Sequence, residues 1–171
     1  MFVKLILMKI ARFEKVSEKQ FKNDLKSLLN CEEDLYDNII IPKRATKGSA
    51  GYDFVSPVEF DLEPGETIKV PTGIRCKIDD GYVLEIFPRS SLGFKYQMAL
   101  MNTVGIIDSD YYNADNEGHI MAKICTEFPF KLGTGDRFMQ GIILNYSIID
   151  DDDPLQDSRN GGFGSTGGTG E

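Results

Sequence analysis

The sequence predicts an all-β domain built as a sandwich, jelly roll or barrel, and three observations carry that expectation. Short runs rich in β-branched and aromatic residues recur along the chain, turn signals separate them, and a single segment has helical periodicity. At 171 residues, 41% hydrophobic and 27% charged, the chain has the size of one domain and enough apolar content to bury a core. No internal repeat is visible.

The opening stretch, Phe2 to Phe13, is rich in Val, Ile, Leu and Phe and reads as a first strand. Its apolar run is broken by Lys4 and Lys9, lacks a small-residue cleavage site and is much too short to span a bilayer. A soluble, cytoplasmic protein without a membrane partner is expected. The period then changes. Ser17 followed by Gln20 has the pattern of a capping box, and Phe21, Leu25, Leu28 and Leu29 recur at helical spacing. One amphipathic helix near residues 18–29 is predicted, a surface decoration within an insertion at about residues 15–37.

From Asn38 onward strands are expected at Glu59 to Leu62, Thr67 to Val70, Ile74 to Ile78, Tyr82 to Phe87, His119 to Phe128 and Phe138 to Ile149. Glu63-Pro64-Gly65-Glu66, Asp79-Asp80-Gly81 and Gly133-Thr134-Gly135-Asp136 supply turns, because Gly provides positive φ and Pro pre-sets its own. Residues 1–150 thus read as one β domain. The remainder, 151–171, differs: the acidic run Asp150 to Asp153 leads into a stretch holding six of the 17 glycines, between Gly161 and Gly170. Such a tail is either an idle flexible arm or a backbone-rich flap that orders over a ligand, since glycine lets main-chain N–H groups approach phosphate closely.

Charge and cysteine usage narrow the function. With 27 acids against 19 bases the formal charge is −8, which argues against the basic face of a nucleic-acid-binding protein. A phosphate-bearing substrate would need local bases, backbone donors and a metal ion. Cys31, Cys76 and Cys125 are odd in number with no CxxC pair, so neither a disulfide framework nor a thiolate zinc site is indicated. The lone histidine, His119, suits a structural place near a strand end better than a metal site without other ligands.

Five segments look unlike core filler. They are Ala45-Thr46-Lys47-Gly48-Ser49-Ala50-Gly51-Tyr52-Asp53-Phe54, then Pro88-Arg89-Ser90-Ser91-Leu92-Gly93, then Asn102 to Tyr111 with the sequence NTVGIIDSDY, then Gly135-Asp136-Arg137-Phe138-Met139-Gln140, and last Arg159 to Gly167 with the sequence RNGGFGSTG. Each alone marks an ordinary turn. In this order and at these separations they resemble the five motifs of the trimeric dUTPases, from Ala45 to Gly167.

The residue types carry chemistry of their own. Pro88-Arg89-Ser90-Ser91 offers a guanidinium fork, hydroxyls and main-chain donors at a strand end, equipment for a polyphosphate; read alone, Arg89 serves equally well as a surface arginine paired with a local acid. Asp108 follows the apolar run Val104 to Ile107, which would hold its carboxylate at a pocket wall, where it could take a proton from bound water. By itself, Asp108-Ser109-Asp110 is also a good turn.

The resemblance implies more specific roles. It implies a distorted jelly-roll β-barrel, hydrolysis of dUTP to dUMP and pyrophosphate, Mg²⁺ as cofactor, and a homotrimer whose active sites are shared between chains. Asp108 would be the base that directs water at the α-phosphorus. Arg89, Ser90, Ser91 and Gln140 would lie along the phosphate chain, and Asp53 would reach the metal through water, the ion being held mainly by substrate phosphates. Asn102 and Gly105, on a hairpin in the family, would read the uracil edge, and Tyr111 would place its ring on the deoxyribose; without the motif around it, Tyr111 reads as a half-exposed strand tyrosine. In the tail, Phe163 would cover the uracil, with Gly164, Ser165, Thr166 and Arg159 toward the phosphates.

Three features depart from the family pattern. Residues 112–117 lengthen the loop after Tyr111, Arg159 stands one residue closer to Gly161 than is common, and the helix near residues 18–29 is an addition. The sister activity on this fold, dCTP deamination, needs a glutamate base within the third segment, and none stands between Met98 and Tyr112.

Overall fold

The computed structural model describes residues 9–154. Expectations that rest on Arg159, Phe163, Gly164, Ser165 and Thr166, and the part of the opening strand before Lys9, lie outside the described residues. Within them the chain forms twelve strands and two α-helices. Among the described residues no helix is long and apolar enough to cross a membrane.

A five-stranded antiparallel sheet positions the site. Its spatial order is β2 (Lys43–Arg44), β3 (Tyr52–Val55), β12 (Arg137–Asn145), β7 (Tyr82–Pro88) and β9 (Gly105–Ile107). Against it lie β5 (Thr67–Pro71), β10 (Met121–Cys125) and β8 (Ala99–Leu100), with two further ribbons, β1 (Ala11–Lys15) on β6 (Ile74–Ile78) and β4 (Phe60–Leu62) on β11 (Phe130–Leu132). The core fills with Phe54, Val70, Ile74, Leu84, Ile86, Ile124, Phe138 and Met139. This jelly-roll-like β architecture is one of the all-β forms, sandwich, jelly roll or barrel, that the recurring short runs predict.

The strand expected to start at Phe2 is described as β1, Ala11–Lys15, held to β6 in register from Ala11↔Ile78 to Lys15↔Ile74. The expected run from His119 to Phe128 shortens to β10, and the one ending at Ile149 stops at Asn145. β2, β3, β8, β9 and β11 were not read as strands, nor α2 (Ser90–Tyr96) as a helix; each is short, seven residues at most.

Helix α1 (Glu18–Leu29) matches its predicted range. Ser17 Oγ accepts from Gln20 N–H at 3.1 Å, and Asn30 ends the helix in the left-handed region at φ 49°, its N–H reaching Lys26 C=O while Cys31 N–H reaches Leu25 C=O. Phe21 and Leu25 are fully buried, so the helix is seated in the core and is not a loose decoration. The other half of the expected capping box is absent. Gln20 turns its amide to Asp24, and the Ser17 N–H donates to Glu117 at 2.7 Å instead. Glu117 comes from the lengthened loop after Tyr111, so the helix and the loop are built against each other.

Candidate functional site

One cluster forms where β3, β12 and β7 lie side by side. Asp53 pairs with Gln140 across β3 and β12, and Gln140 pairs with Phe87 of β7. Phe54 points into the core, so its neighbour Asp53 points out. A bulge then matters. The register steps from Arg137↔Val55 to Met139↔Phe54, leaving Phe138 as the extra residue. Phe138 and Met139 both turn inward, fully buried, and Arg137 and Gln140 both turn to the face that carries Asp53.

The result is an acid held by two bases. Arg137 Nη1 lies 2.9 Å from Asp53 Oδ2, and Arg89 Nε lies 3.3 Å from Asp53 Oδ1. Arg89 Nη1 also donates to Arg137 C=O at 3.2 Å, and Gln140 Nε2 donates to Pro88 C=O at 3.4 Å. Arg89 thus has a local acid partner, and it stands at the strand end with Ser90 and Ser91. Those two serines are exposed at the start of α2, where the first amides of a helix have no intrahelical acceptor. Two guanidiniums, two hydroxyls and free-standing amides make this a local anion-attracting patch on a chain of net charge −8.

Gly51 closes the patch. A Cβ there would stand 2.5 Å from Gln140 Oε1, so glycine is what lets the first motif pass over the glutamine. Gly51 and Arg137 lie within the first and fourth motifs, whose sequence alone assigns neither a role. The one-residue excess in the Arg137-Phe138-Met139-Gln140 apolar pattern is the signal that could have placed Arg137 on this face.

Asp108 lies elsewhere. It follows β9, one residue past Ile107, which pairs with Leu84 near the start of β7. It lines an open cleft of about 530 Å³ with Val83, Glu85, Ile106, Ser109, Asp110 and Tyr146, a volume in the range of ligand pockets. Among the described residues the lining combines apolar surface with three carboxylates, Glu85, Asp108 and Asp110. Arg89 lies beyond the other end of β7, about 20 Å along the strand at ordinary strand rise.

The third motif does not fold back on itself as a paired hairpin. Leu100 of β8 pairs with Ile124 and Gly105 of β9 pairs with Ile86, so residues 101–104 cross between two sheets. Asn102 is exposed in that crossing. Gly105 has a packing reason beside its expected one: a Cβ would stand 3.1 Å from the Ile86 side chain. Tyr111 is in a 3-10 turn, Ser109–Asn113, and is buried at 4% exposure, not half-exposed on a strand. Its hydroxyl donates to His119 C=O at 2.8 Å.

His119 is wholly buried and structural. Its Nε2 accepts the Gly73 N–H at 2.7 Å, and its Nδ1 lies 2.6 Å from Asp24 of α1. An imidazole that accepts at Nε2 carries its proton at Nδ1, so the Asp24 contact is a hydrogen bond to a neutral ring. Burial pushes the Cys76 thiol up to about 12.

Comparison with known proteins decides the family. The dUTPase family model matches residues 37–167, most of the chain. The chain belongs to the dUTPase family. The deoxyuridine 5'-triphosphate nucleotidohydrolase of Lactococcus lactis is 41% identical over 133 residues, covering 75% of this chain and 89% of that protein. The corresponding Chromobacterium violaceum protein is 40% identical over 143 residues, covering 78% and 90%. The crystal structure of the dUTPase from Streptococcus mutans superimposes with a TM-score of 0.62 at 34% identity, covering 81% of this chain and 98% of that one. A Staphylococcus phage 80alpha dUTPase bound to dUpNHpp shares the fold, with a TM-score of 0.64 at 17% identity. All five motifs fall inside the dUTPase match, whereas helix α1 precedes it.

Proposed function

We propose that the chain hydrolyses dUTP to dUMP and pyrophosphate at sites shared between copies of itself, with Asp108 as the base. The observation that carries this reading is the separation of Asp108 from Arg89 along β7. A base at one end and guanidiniums at the other cannot serve one triphosphate within a single chain. Two copies can, if the Arg89 end of one faces the Asp108 cleft of the next, and the family resemblance supports a homotrimer as the assembly. Ile106, Leu144 and Tyr146 give the cleft an exposed apolar margin suited to burial against a neighbour.

In this reading Arg89, Ser90, Ser91 and Gln140 hold the phosphate chain. Asn102 and the backbone at Gly105 read the uracil edge, and Tyr111 offers the edge of a fixed ring to the deoxyribose. Asp108, its backbone carbonyl tied to the Tyr111 N–H at 3.2 Å, orients and deprotonates the water in line with the departing pyrophosphate. Arg159, Phe163, Gly164, Ser165 and Thr166 belong to an arm, residues 151–171, that closes over the site and excludes water.

The residues fit Mg²⁺ only in a particular way. Among the described residues no three acidic, histidine or cysteine side chains converge as a metal cage, and both Asp53 oxygens already face guanidiniums. Asp53 thus suits contact through water, with the substrate phosphates as principal ligands. When bound, the ion would offset charge on the phosphates.

The test is a nucleotide panel. Purified protein with Mg²⁺ should release pyrophosphate from dUTP and little from UTP, dTTP or dCTP. Ammonia from dCTP, or equal hydrolysis of dUTP and UTP, would overturn the assignment.

A further inference from the structure

The loop that follows Tyr111 is longer than the family pattern, and its contacts point back at Tyr111. A phenol oxygen has one donor and two acceptor positions. Here the hydroxyl donates to His119 C=O at 2.8 Å, and the Asn116 side-chain amide donates to the same oxygen at 2.8 Å. The phenol is therefore fixed in rotation as well as position. Asn116 is fixed in turn, because its Oδ1 accepts the Gly118 N–H at 3.2 Å and its carbonyl accepts the His119 N–H at 3.1 Å.

The loop closes directly on the tyrosine backbone. Gly118 is left-handed at φ 69°, and a Cβ there would lie 2.7 Å from Tyr111 O and 2.8 Å from Tyr112 Cα. Its far side is pinned to helix α1. Glu117 accepts from the Ser17 N–H at 2.7 Å and from the Ser17 hydroxyl at 2.6 Å, and the His119 ring is held between Asp24 and Gly73. Residues that no motif contains thus form a clamp, and within it the Asn116 side chain bonds the Tyr111 phenol.

We propose that Asn116 is a positioning residue that holds the Tyr111 ring against the sugar and so sets the preference for 2′-deoxy over 2′-hydroxy nucleotides. This rests on the reading above, in which Tyr111 meets the deoxyribose. A ring locked at both its backbone and its hydroxyl cannot yield to an added 2′-hydroxyl. A ring that keeps only its bond to His119 C=O and loses the one from Asn116 can tilt about that single anchor, and discrimination falls before turnover does, because Asp108 and the phosphate groups are untouched.

The experiment is a double-mutant cycle read as the ratio of kcat/KM on dUTP to that on UTP. Asn116→Asp keeps an oxygen for the Gly118 N–H and removes the donor to Tyr111. It should narrow the ratio about three- to tenfold, the loss of one neutral hydrogen bond. In a Tyr111→Phe background the same change should narrow it no further. Asn116→Ser enters the same cycle if the aspartate variant does not fold, with melting temperature as the folding control. An unchanged ratio in a folded Asn116 variant, or effects that add across the cycle, overturns the role of Asn116 alone. Wild-type protein that releases no pyrophosphate from dUTP overturns the dUTPase reading and this inference with it.

Discussion

Asp108 and Arg89 stand at opposite ends of the same strand, β7, about 20 Å apart along it. The antiparallel register that fixes Ile107 opposite Leu84 also fixes that distance, so no side-chain rotation closes it. The two halves of the proposed chemistry are each well defined, and one chain keeps them apart.

The base is the first point to test. Asp108→Asn keeps the size and a hydrogen-bonding oxygen but cannot take the proton. Its kcat on dUTP should fall by about 10²- to 10⁴-fold, the usual worth of a general base, with dUTP binding retained. Single-turnover pyrophosphate release together with calorimetric titration of dUTP separates the two quantities; near-normal turnover would remove Asp108 from the role.

Gly51 gives a second test, at the other end of β7. An added methyl would meet Gln140 at Oε1 first, at 2.5 Å, and then Cδ at 3.3 Å, the mobile end of a side chain and not backbone. Gly51→Ala should therefore swing the glutamine amide away and raise KM for dUTP about three- to tenfold, with little change in melting temperature. A large loss of stability without a change in KM would show that Gly51 serves the fold alone.

Acid stability follows from the α1 clamp. The Ser17 hydroxyl and amide hold the Glu117 carboxyl below its ordinary 4.5, and the Tyr112 hydroxyl, with help from Arg12 and Arg75, does the same for Glu14. Burial pushes Asp24 up, but its bonds from His119 and Gln20 outweigh that and leave it below 3.8. Each group binds its proton more weakly folded than unfolded, so the stabilisation is complete above pH 4.5 and is lost as pH falls through the lowered folded values. Melting temperature should be level down to about pH 5 and drop below about pH 4, and Glu117→Gln should make that drop shallower. An acid slope identical in Glu117→Gln would show that the contact with Ser17 contributes nothing.

How much of this was legible in the sequence depends on the range of the interaction that decides it. β5, β6 and β7 and helix α1 follow from alternation, β-propensity and a capping serine, all local, and they fall where the residues say. β3 and β9 are hidden because aspartate in the one and glycine in the other obscure alternation. The seating of α1 against Glu117 and His119 joins residues 95 to 100 positions apart, and no local pattern reports it; the bulge at Phe138 leaves only the one-residue excess in its apolar pattern. Tyr111 misled for the same reason: the partners that bury it, His119 and Asn116, lie in a loop outside the motif.

Mixing two inactive variants tests the shared site most directly. Asp108→Asn retains the phosphate patch and Arg89→Ala retains the base, so unfolding and refolding them together at equal amounts should build some sites with both parts intact. If each site draws Asp108 and Arg89 from different chains, the mixture should recover about a quarter of wild-type kcat/KM on dUTP, the random-assortment value. Activity that stays at the level of the separate variants would contradict the account, because it would mean that both residues must come from one chain.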